Sequence, residues 1–179
     1  MKLTRRVEVL SSQSIYQGKV VHLRLDRVRE PGGVVAVREV VEHVGSVVVL
    51  PILPDGQVVL VRQYRHAVRQ SLWELVAGGI NKGETPRRAA ARELQEEAGF
   101  GARRLKTLFD FYPSPGILSE RMFLVEARDL QKTQARPEED EFIRVGSFTP
   151  TQLRTLIHQK RIKDGKTLVG LAWLLDRYK

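Results

Sequence analysis

Four glutamates lie within one short segment, AGGINKGETPRRAAARELQEEAGF, residues 77–100: Glu84, Glu93, Glu96 and Glu97. If the end of this segment is helical, Glu97 lies four residues from Glu93 and Glu96 lies three from it, so three carboxylates share one face. Like charges at this spacing destabilise a helix by roughly 0.2–0.5 kcal/mol per pair. In a chain of net charge +9, the cluster is either a solvated acidic face or a cation site.

Three features favour a cation site. No lysine follows Glu93 at i+4, where an ordinary surface helix would place one. Gly78 and Gly79 precede the helix and allow a close approach of the backbone. The cluster also lies in an otherwise basic chain. Carboxylates on one face and a nearby backbone carbonyl form a hard-oxygen ligand set, which suits Mg²⁺ or Mn²⁺ rather than zinc. Such an ion usually keeps water ligands and takes phosphate oxygens, so the segment predicts metal-assisted attack of water on a pyrophosphate.

The local sequence predicts the helix that carries these glutamates. Thr85 is a hydroxyl N-cap, and Pro86 occupies the first helical position. Alanine-rich sequence continues to Glu97, and Gly99 lies where a C-terminal glycine cap belongs. Arg92 can pair with Glu96 and relieve part of the repulsion.

The remaining elements are mixed irregularly, which predicts an α+β protein. Alternating strands at 5–12, 18–30 and 34–44 indicate a small antiparallel sheet over roughly 1–42. Residues 45–53 form an apolar strand buried on both faces. We predict further strands at 57–65, 72–76, 104–112, 121–127 and 142–148, a polar loop at 128–141, and helices at 150–159 and 166–177.

Composition narrows the class of protein. The chain has 179 residues and no cysteine, which excludes disulfides and thiolate metal sites and fits a reducing cytoplasm. The longest apolar run, 47–53, is broken by Pro51 and is too short to span a bilayer. The 30 basic residues, against 21 acidic ones, are spread along the chain without a nucleic-acid-binding motif. We therefore predict a soluble cytoplasmic protein with no membrane or nucleic acid partner.

The glutamate segment resembles the signature of the Nudix hydrolases. Gly78, Glu84 and residues 92–100, RELQEEAGF, match G-x5-E-x7-R-E-U-x-E-E-x-G-U at every fixed position, where U is a bulky apolar residue. The resemblance implies an α/β/α sandwich around a mixed sheet. We predict an N-terminal sheet extension over 1–42, as a dimerisation element, and a Nudix domain over 43–179.

The resemblance also implies roles for the residues of the signature. Glu93 and Glu97 look like the main metal ligands, Glu96 a further or water-mediated one, and the carbonyl of Ala77 the backbone ligand. Arg92 and Glu84 resemble the residues that orient the helix and its carboxylates. The predicted cofactor is Mg²⁺, with Mn²⁺ as a substitute.

Segments outside the signature are similar to the ADP-ribose pyrophosphatases. These segments are 60–79, the Pro115 turn sixteen residues after Gly99, the chain end KDGKTLVGLAWLL and the N-terminal part. In that subfamily the active site of a homodimer uses both chains. The resemblance implies that Arg38 and Arg65 contact the substrate, with Pro115 in a binding turn and Glu74 as support. It gives the general base as Glu141, with Glu139 as the alternate, and leaves Tyr16, Tyr64 and Trp73 open as the adenine-stacking residue.

The function expected from this resemblance is Mg²⁺-dependent hydrolysis of ADP-ribose or a related nucleotide sugar, giving AMP and ribose 5-phosphate. An alternative is the same chemistry on GDP-mannose, NADH or another dinucleotide. A further alternative is a Nudix fold that binds a nucleotide without cleaving it, for which degenerate signature glutamates would be the mark. None of the four glutamates is degenerate here.

Overall fold

The computed structural model describes residues 6–135 and 142–177. The chain forms two compact units, the first comprising the residues up to Gly45 together with Tyr112–Arg121, and the second comprising the rest. Residues 112–121 belong to the first unit, because Val41 donates its amide to Ile117 O (2.8 Å) and accepts from the Ser119 amide (2.9 Å). The division of the chain into functional domains at residue 42 stays a prediction.

The first unit is built on a three-stranded antiparallel sheet, ordered β1-β2-β3. Its strands are β1 (Glu8–Gln17), β2 (His22–Arg29) and β3 (Val35–Glu42). The Pro31-Gly32-Gly33 turn joins the last two, and Gly33 has the positive φ (87°) that favours glycine. The predicted small antiparallel sheet is confirmed. Val35 and Val37 are exposed on one face of it.

In its described residues, the second unit contains two sheets and three helices. One sheet is ordered β7-β4-β9-β8 and the other β10-β5-β6. The elements are β4 (Ser46–Pro51), β5 (Val58–Arg65), a 3-10 turn (His66–Val68), β6 (Gln70–Glu74), β7 (Val76–Gly79), α1 (Pro86–Ala98), β8 (Phe100–Phe111), β9 (Met122–Lys132), β10 (Arg144–Phe148), α2 (Pro150–His158) and α3 (Gly165–Leu175). The first sheet is mixed, since β4 pairs parallel with β9 and antiparallel with β7.

Strand β4 explains the layered packing. All six of its residues are buried, as its continuous apolar sequence predicts. Val47 and Val49 point to one core with Leu94 of α1, whereas Val48 and Leu50 point to another with Leu171 and Leu174 of α3. Alternate residues of one strand therefore serve two helix-covered faces. This α/β/α arrangement confirms the predicted α+β sandwich.

Two predicted elements are wrong in their extent. The strand predicted at 72–76 is two strands in different sheets, because the amide of Leu75 leaves the ladder and donates to Thr167 Oγ1 (2.7 Å). The loop predicted from residue 128 begins later, since β9 continues to Lys132 and pairs with β8 from Phe100 onward. Within 6–135 and 142–177, no helix has the length and hydropathy of a membrane span.

Candidate functional site

Helix α1 is fixed at both ends by its own sequence. Thr85 Oγ1 accepts a hydrogen bond from the Arg88 amide (3.4 Å), and Pro86 takes the first helical position. Gly99 adopts a left-handed conformation (φ 68°), and its amide donates to Gln95 O (3.0 Å). The capped helix predicted from sequence is confirmed. It packs against β7, which immediately precedes the loop leading to it.

Two carboxylates are buried where α1 meets β7. Glu93 and Glu97 are only 9% and 6% exposed. Gly78 on β7 makes this packing possible, because a Cβ at this position would lie 2.0 Å from the Cδ of Glu93. The amide of Ala77 donates to Glu97 Oε2 over a long 3.4 Å. Glycine at position 78 therefore leaves room for an acidic side chain directly against the backbone of a strand.

Arg92 donates hydrogen bonds to three glutamates and a backbone carbonyl. Its Nε and Nη2 donate to both oxygens of Glu84 (3.1 and 3.0 Å), and Nη2 also donates to Gly79 O (2.9 Å). Its Nη1 donates to Glu93 Oε1 (2.7 Å) and Glu96 Oε2 (3.0 Å). Hydrogen bonding to Glu84 raises the pKa of Arg92, and the same contact lowers the pKa of Glu84. Arg92 and Glu84 therefore stay charged at neutral pH, and Arg92 orients the acidic face.

The donor set fits a hard divalent cation. The carboxyl group of Glu93 occupies the space that a Cβ at position 78 would take, and Glu97 accepts a hydrogen bond from the backbone of Ala77. The side chain of Glu96 is more exposed, at 39%, and pairs with Arg92. In the two described stretches no three acidic or histidine side chains are grouped as a metal site. Oxygens of the backbone, solvent or substrate would therefore complete the coordination.

Arg65 is held in place by a buried carboxylate. Its Nε and Nη2 donate to the two oxygens of Glu74 (2.9 and 2.7 Å), which is 1% exposed. These hydrogen bonds raise the pKa of Arg65, and the charge of Glu97 adds to the shift. Arg65 therefore lies within electrostatic reach of the buried glutamates. Glu74, predicted as support, acts in this structure on the guanidinium of Arg65.

Sequence reasoning missed the partners of Glu74 on α3. Lys166 Nζ contacts Glu74 Oε2 (2.5 Å) and Asp164 Oδ1 (2.9 Å). Asp164 caps α3 by accepting from the amide and hydroxyl of Thr167 (3.0 and 2.6 Å). Burial raises the pKa of Glu74, but Arg65 and Lys166 outweigh it and leave that pKa below its ordinary value. The N-cap at Asp164 is readable from sequence, whereas the contact across 92 residues is not.

Replacing Glu74 by glutamine tests this buried cluster. The change removes the negative charge that Lys166 and Arg65 share. We therefore expect the free energy of unfolding to fall by about 2–4 kcal/mol. Thermal unfolding followed by circular dichroism should show a Tm lower by roughly 5–15 °C. Because folding lowers the pKa of Glu74, its contribution is complete at neutral pH and is lost as the pH falls through the carboxyl range. The difference between variant and wild type should then shrink in acid.

A matched control is Asp129→Asn, which makes the same chemical change in an exposed pair. Asp129 and Arg104 are 47% and 69% exposed in their side chains and lie 2.5 Å apart. Surface pairs of this kind contribute about 0–1 kcal/mol. An equal Tm change in the two variants would contradict a structural role for the Glu74 cluster.

The remaining predicted residues are two in the first unit, two outside the described residues and three aromatic candidates. Arg38 and Pro115 belong to the first unit, where Arg38 is exposed on β3 and pairs with Glu30 (2.5 Å), and Pro115 lies in an exposed turn. Glu139 and Glu141 lie outside the described residues. Among the aromatic candidates, Tyr16 and Tyr64 are exposed, whereas Trp73 packs edge-on against Phe148 (ring centroids 4.9 Å apart). Their assigned roles stay predictions.

Comparison with known sequences gives two matches that together cover most of the chain. The Nudix domain profile matches residues 41–169, and the nucleoside diphosphate sugar hydrolase N-terminal domain profile matches residues 7–41. A solved structure described as an ADP compounds hydrolase superposes with a TM-score of 0.86, covering 99% of this chain and 96% of that one. At 24% identity it supports the fold.

Three curated relatives are similar along most of the chain. A methanol dehydrogenase activator from Bacillus methanolicus is 37% identical, and an ADP-ribose pyrophosphatase from Bacillus subtilis is 33% identical. Each alignment covers 93% of this chain and 91% of the relative. An ADP-ribose pyrophosphatase from Mycobacterium tuberculosis is 41% identical over 73% of this chain and 63% of its own. Together with the domain match and the intact glutamate signature on α1, these relatives show that the chain belongs to the Nudix family.

Proposed function

We propose that this protein hydrolyses the pyrophosphate bond of ADP-ribose or a related nucleotide sugar, giving AMP and a sugar phosphate. The observation that carries the proposal is the pair of buried carboxylates, Glu93 and Glu97, packed against Gly78. Burying two carboxylates in one place is costly for the fold alone, and such groups cluster at functional sites. Two of the relatives described above are named for ADP-ribose hydrolysis, which supports the choice of substrate.

We assign Mg²⁺ as the cofactor, with Mn²⁺ as a substitute. Glu93, Glu97 and the carbonyl of Ala77 would hold the ion, and Glu96 would add a ligand directly or through water. When bound, the ion neutralises the charge of the pyrophosphate and makes water more acidic. Oxygen ligands of this kind are those that Mg²⁺ prefers.

The protein's own side chains orient the metal-binding carboxylates and the substrate phosphates. Arg92 holds the carboxylates of Glu93 and Glu96 and is itself fixed by Glu84. Arg65 presents a planar fork suited to bidentate contact with phosphate oxygens. Glu74 anchors that fork from its buried side. Arg38 and the Pro115 turn are proposed to bind substrate, and Glu141 or Glu139 to take the proton from the attacking water.

The substrate assignment is tested by a panel of nucleotides at one Mg²⁺ concentration. The panel holds ADP-ribose, GDP-mannose, NADH and a dinucleoside polyphosphate, and the result is ranked by kcat/KM because specificity is a ratio of those values. We expect ADP-ribose to rank first, with AMP as the product. A higher kcat/KM for GDP-mannose or NADH would move the assignment to that substrate. Binding without turnover of any of them would favour a nucleotide-binding module.

A second candidate is the activation of a methanol dehydrogenase, which rests on the 37% identical relative named for that role. The two candidates are separable with the Glu97→Gln variant and a purified methanol dehydrogenase. Activation by wild type and variant alike would indicate a role independent of hydrolysis. Activation by wild type alone would place hydrolysis upstream of the effect.

We also propose that the protein is a cytoplasmic homodimer joined through its N-terminal sheet, residues 1–42. Val35 and Val37 expose 43% and 59% of their surface on one face of β3, where a partner chain would cover them. Changing both to lysine should reduce the mass in solution from twice 20.4 kDa to 20.4 kDa, measured by light scattering after gel filtration. Since the subfamily builds its site from two chains, activity should fall in parallel.

Val44→Lys is the control for this experiment, because Val44 is 83% exposed but lies outside the strands of the sheet. It should leave the mass unchanged. A wild-type chain that runs as a monomer at micromolar concentration would contradict the proposed dimer.

A further inference from the structure

The fold gathers basic side chains that are far apart in sequence. Two adjoining cavities of about 360 and 320 Å³ share Arg62 and Ser71 as lining residues, on the sheet formed by β10, β5 and β6. Among the residues that the structure describes, 6–135 and 142–177, their lining includes five basic residues and no acidic one; the five are Arg62, Arg144, Lys160, Arg161 and Lys163. The basic run at 160–163 and the distant Arg62 and Arg144 thus form one strongly cationic pocket.

The arrangement of these cations is unfavourable for the protein alone. Arg62 and Arg144 lie directly opposite each other on neighbouring strands, where like charges destabilise a sheet. Within the described residues, 6–135 and 142–177, none of the five cations forms an ion pair. The C-terminal end of α2 can stabilise a cation near Lys160, but that effect fades within one turn. An anion bound among them would relieve the repulsion.

The pocket also has groups that would orient a ligand. Gln70 accepts a hydrogen bond from Lys163 Nζ (3.2 Å), which fixes this lysine at the rim. Lys160 adopts a left-handed backbone (φ 56°), an uncommon conformation for a non-glycine residue. Trp73 contributes an apolar wall to the same cavity. A volume of about 320 Å³ is in the range of small-molecule sites.

We propose that this pocket is a second anion site, separate from the glutamate cluster, that binds the phosphate groups of a small nucleotide or of pyrophosphate. The phosphate groups would be bound by Arg62, Lys160, Arg161 and Lys163. Each guanidinium group would donate two parallel hydrogen bonds to phosphate oxygens. A nucleotide base would lie against Trp73, and this assignment leaves Tyr16 and Tyr64 as the adenine-stacking candidates of the hydrolytic site. The site requires no divalent metal, which distinguishes it from the hydrolytic site.

The test uses the two tryptophans of the chain as reporters. Trp73 lines the pocket, whereas Trp173 lies on α3 under the guanidinium of Arg177 (3.9 Å to the ring centre). Full-length ¹⁵N-labelled protein in EDTA is titrated with inorganic pyrophosphate, AMP and a short single-stranded oligonucleotide, and the two indole N–H signals are followed by NMR. We expect a saturable shift of the Trp73 signal with pyrophosphate or AMP and a constant Trp173 signal.

Matched variants identify the cations responsible. Lys160→Asn with Lys163→Gln removes two charges from the pocket, and asparagine tolerates the left-handed backbone at 160. Lys106→Gln with Lys132→Gln removes two exposed charges from β8 and β9. The pocket variant should bind roughly tenfold more weakly, the control variant should match wild type, and both should keep wild-type ADP-ribose hydrolysis.

Two results support the site and identify its ligand. If AMP shifts the Trp73 signal at a lower concentration than pyrophosphate does, the ligand is a nucleotide. If pyrophosphate shifts it at the lower concentration, the ligand is the free anion. Three results would overturn the proposal. They are an unshifted Trp73, equal affinity in the pocket and control variants, or binding of the oligonucleotide alone. None depends on the hydrolytic assignment, so the two proposals can fail separately.

Discussion

The Glu97→Gln variant should lose about two to three orders of magnitude in kcat for ADP-ribose. Glu97 is buried at the contact between α1 and β7, beside Glu93 and the backbone of Ala77. An amide keeps the shape of the side chain but not the charge that would hold a divalent cation. Loss of the several kcal/mol that such an ion contributes to a phosphoryl transition state gives a decrease of this size. The measurement is AMP release at saturating Mg²⁺.

The neighbouring Glu96→Gln variant provides the comparison. Its side chain is 39% exposed and paired with Arg92, so its loss of kcat should be at least tenfold smaller than that of Glu97→Gln. Circular dichroism should show that both variants are folded. If Glu97→Gln keeps more than a tenth of the wild-type kcat, the buried pair is not the hydrolytic centre.

Replacing Gly78 by alanine should remove most activity while leaving the fold intact. The new Cβ would lie 2.0 Å from the Glu93 carboxyl group, so the side chain of Glu93 must move. Because the displaced atoms are the end of a flexible side chain, the loss of stability should be modest, about 1–2 kcal/mol. Kinetics should show a fall in kcat of roughly 100-fold or more, with Tm lower by only a few degrees.

Gly79→Ala is a closely matched control for this substitution. A Cβ at position 79 meets no atom within 4 Å, and the carbonyl that accepts from Arg92 is retained. We expect activity within about twofold of wild type, since surface changes of this kind rarely exceed 0.5 kcal/mol. Equal damage at positions 78 and 79 would mean that loop flexibility, rather than the space for Glu93, is what the glycines provide.

Local signals predicted the site helix and the buried strand β4 well. Thr85, Pro86 and Gly99 determine where α1 begins and ends, and each acts on atoms within four residues of itself. The spacing of Glu93, Glu96 and Glu97 is enough to place them on one face of that helix, because helical periodicity is a local property of the chain. The buried strand at 45–53 followed from its continuous apolar run.

What sequence could not supply depends on contacts across long stretches of chain. Glu74 is held from α3 by a lysine 92 residues away, and no periodicity reports such a pair. Gly78 is recognisable as part of a signature, but its contact with Glu93 depends on how β7 packs against α1. The basic pocket joins Arg62 to the basic run at 160–163, which lies far from it in the linear sequence.

Hydrolysis of ADP-ribose by this protein is proposed to depend on a divalent metal, so the decisive measurement is AMP release before and after the metal is removed. Protein stripped with EDTA and dialysed should release no AMP from ADP-ribose. Adding Mg²⁺ should restore the release of AMP and ribose 5-phosphate in equal amounts, because these carboxylates are proposed to act through a divalent cation. Equal AMP release with and without Mg²⁺ would contradict the proposed dependence on a metal. No AMP in either case would contradict the assignment of ADP-ribose as substrate.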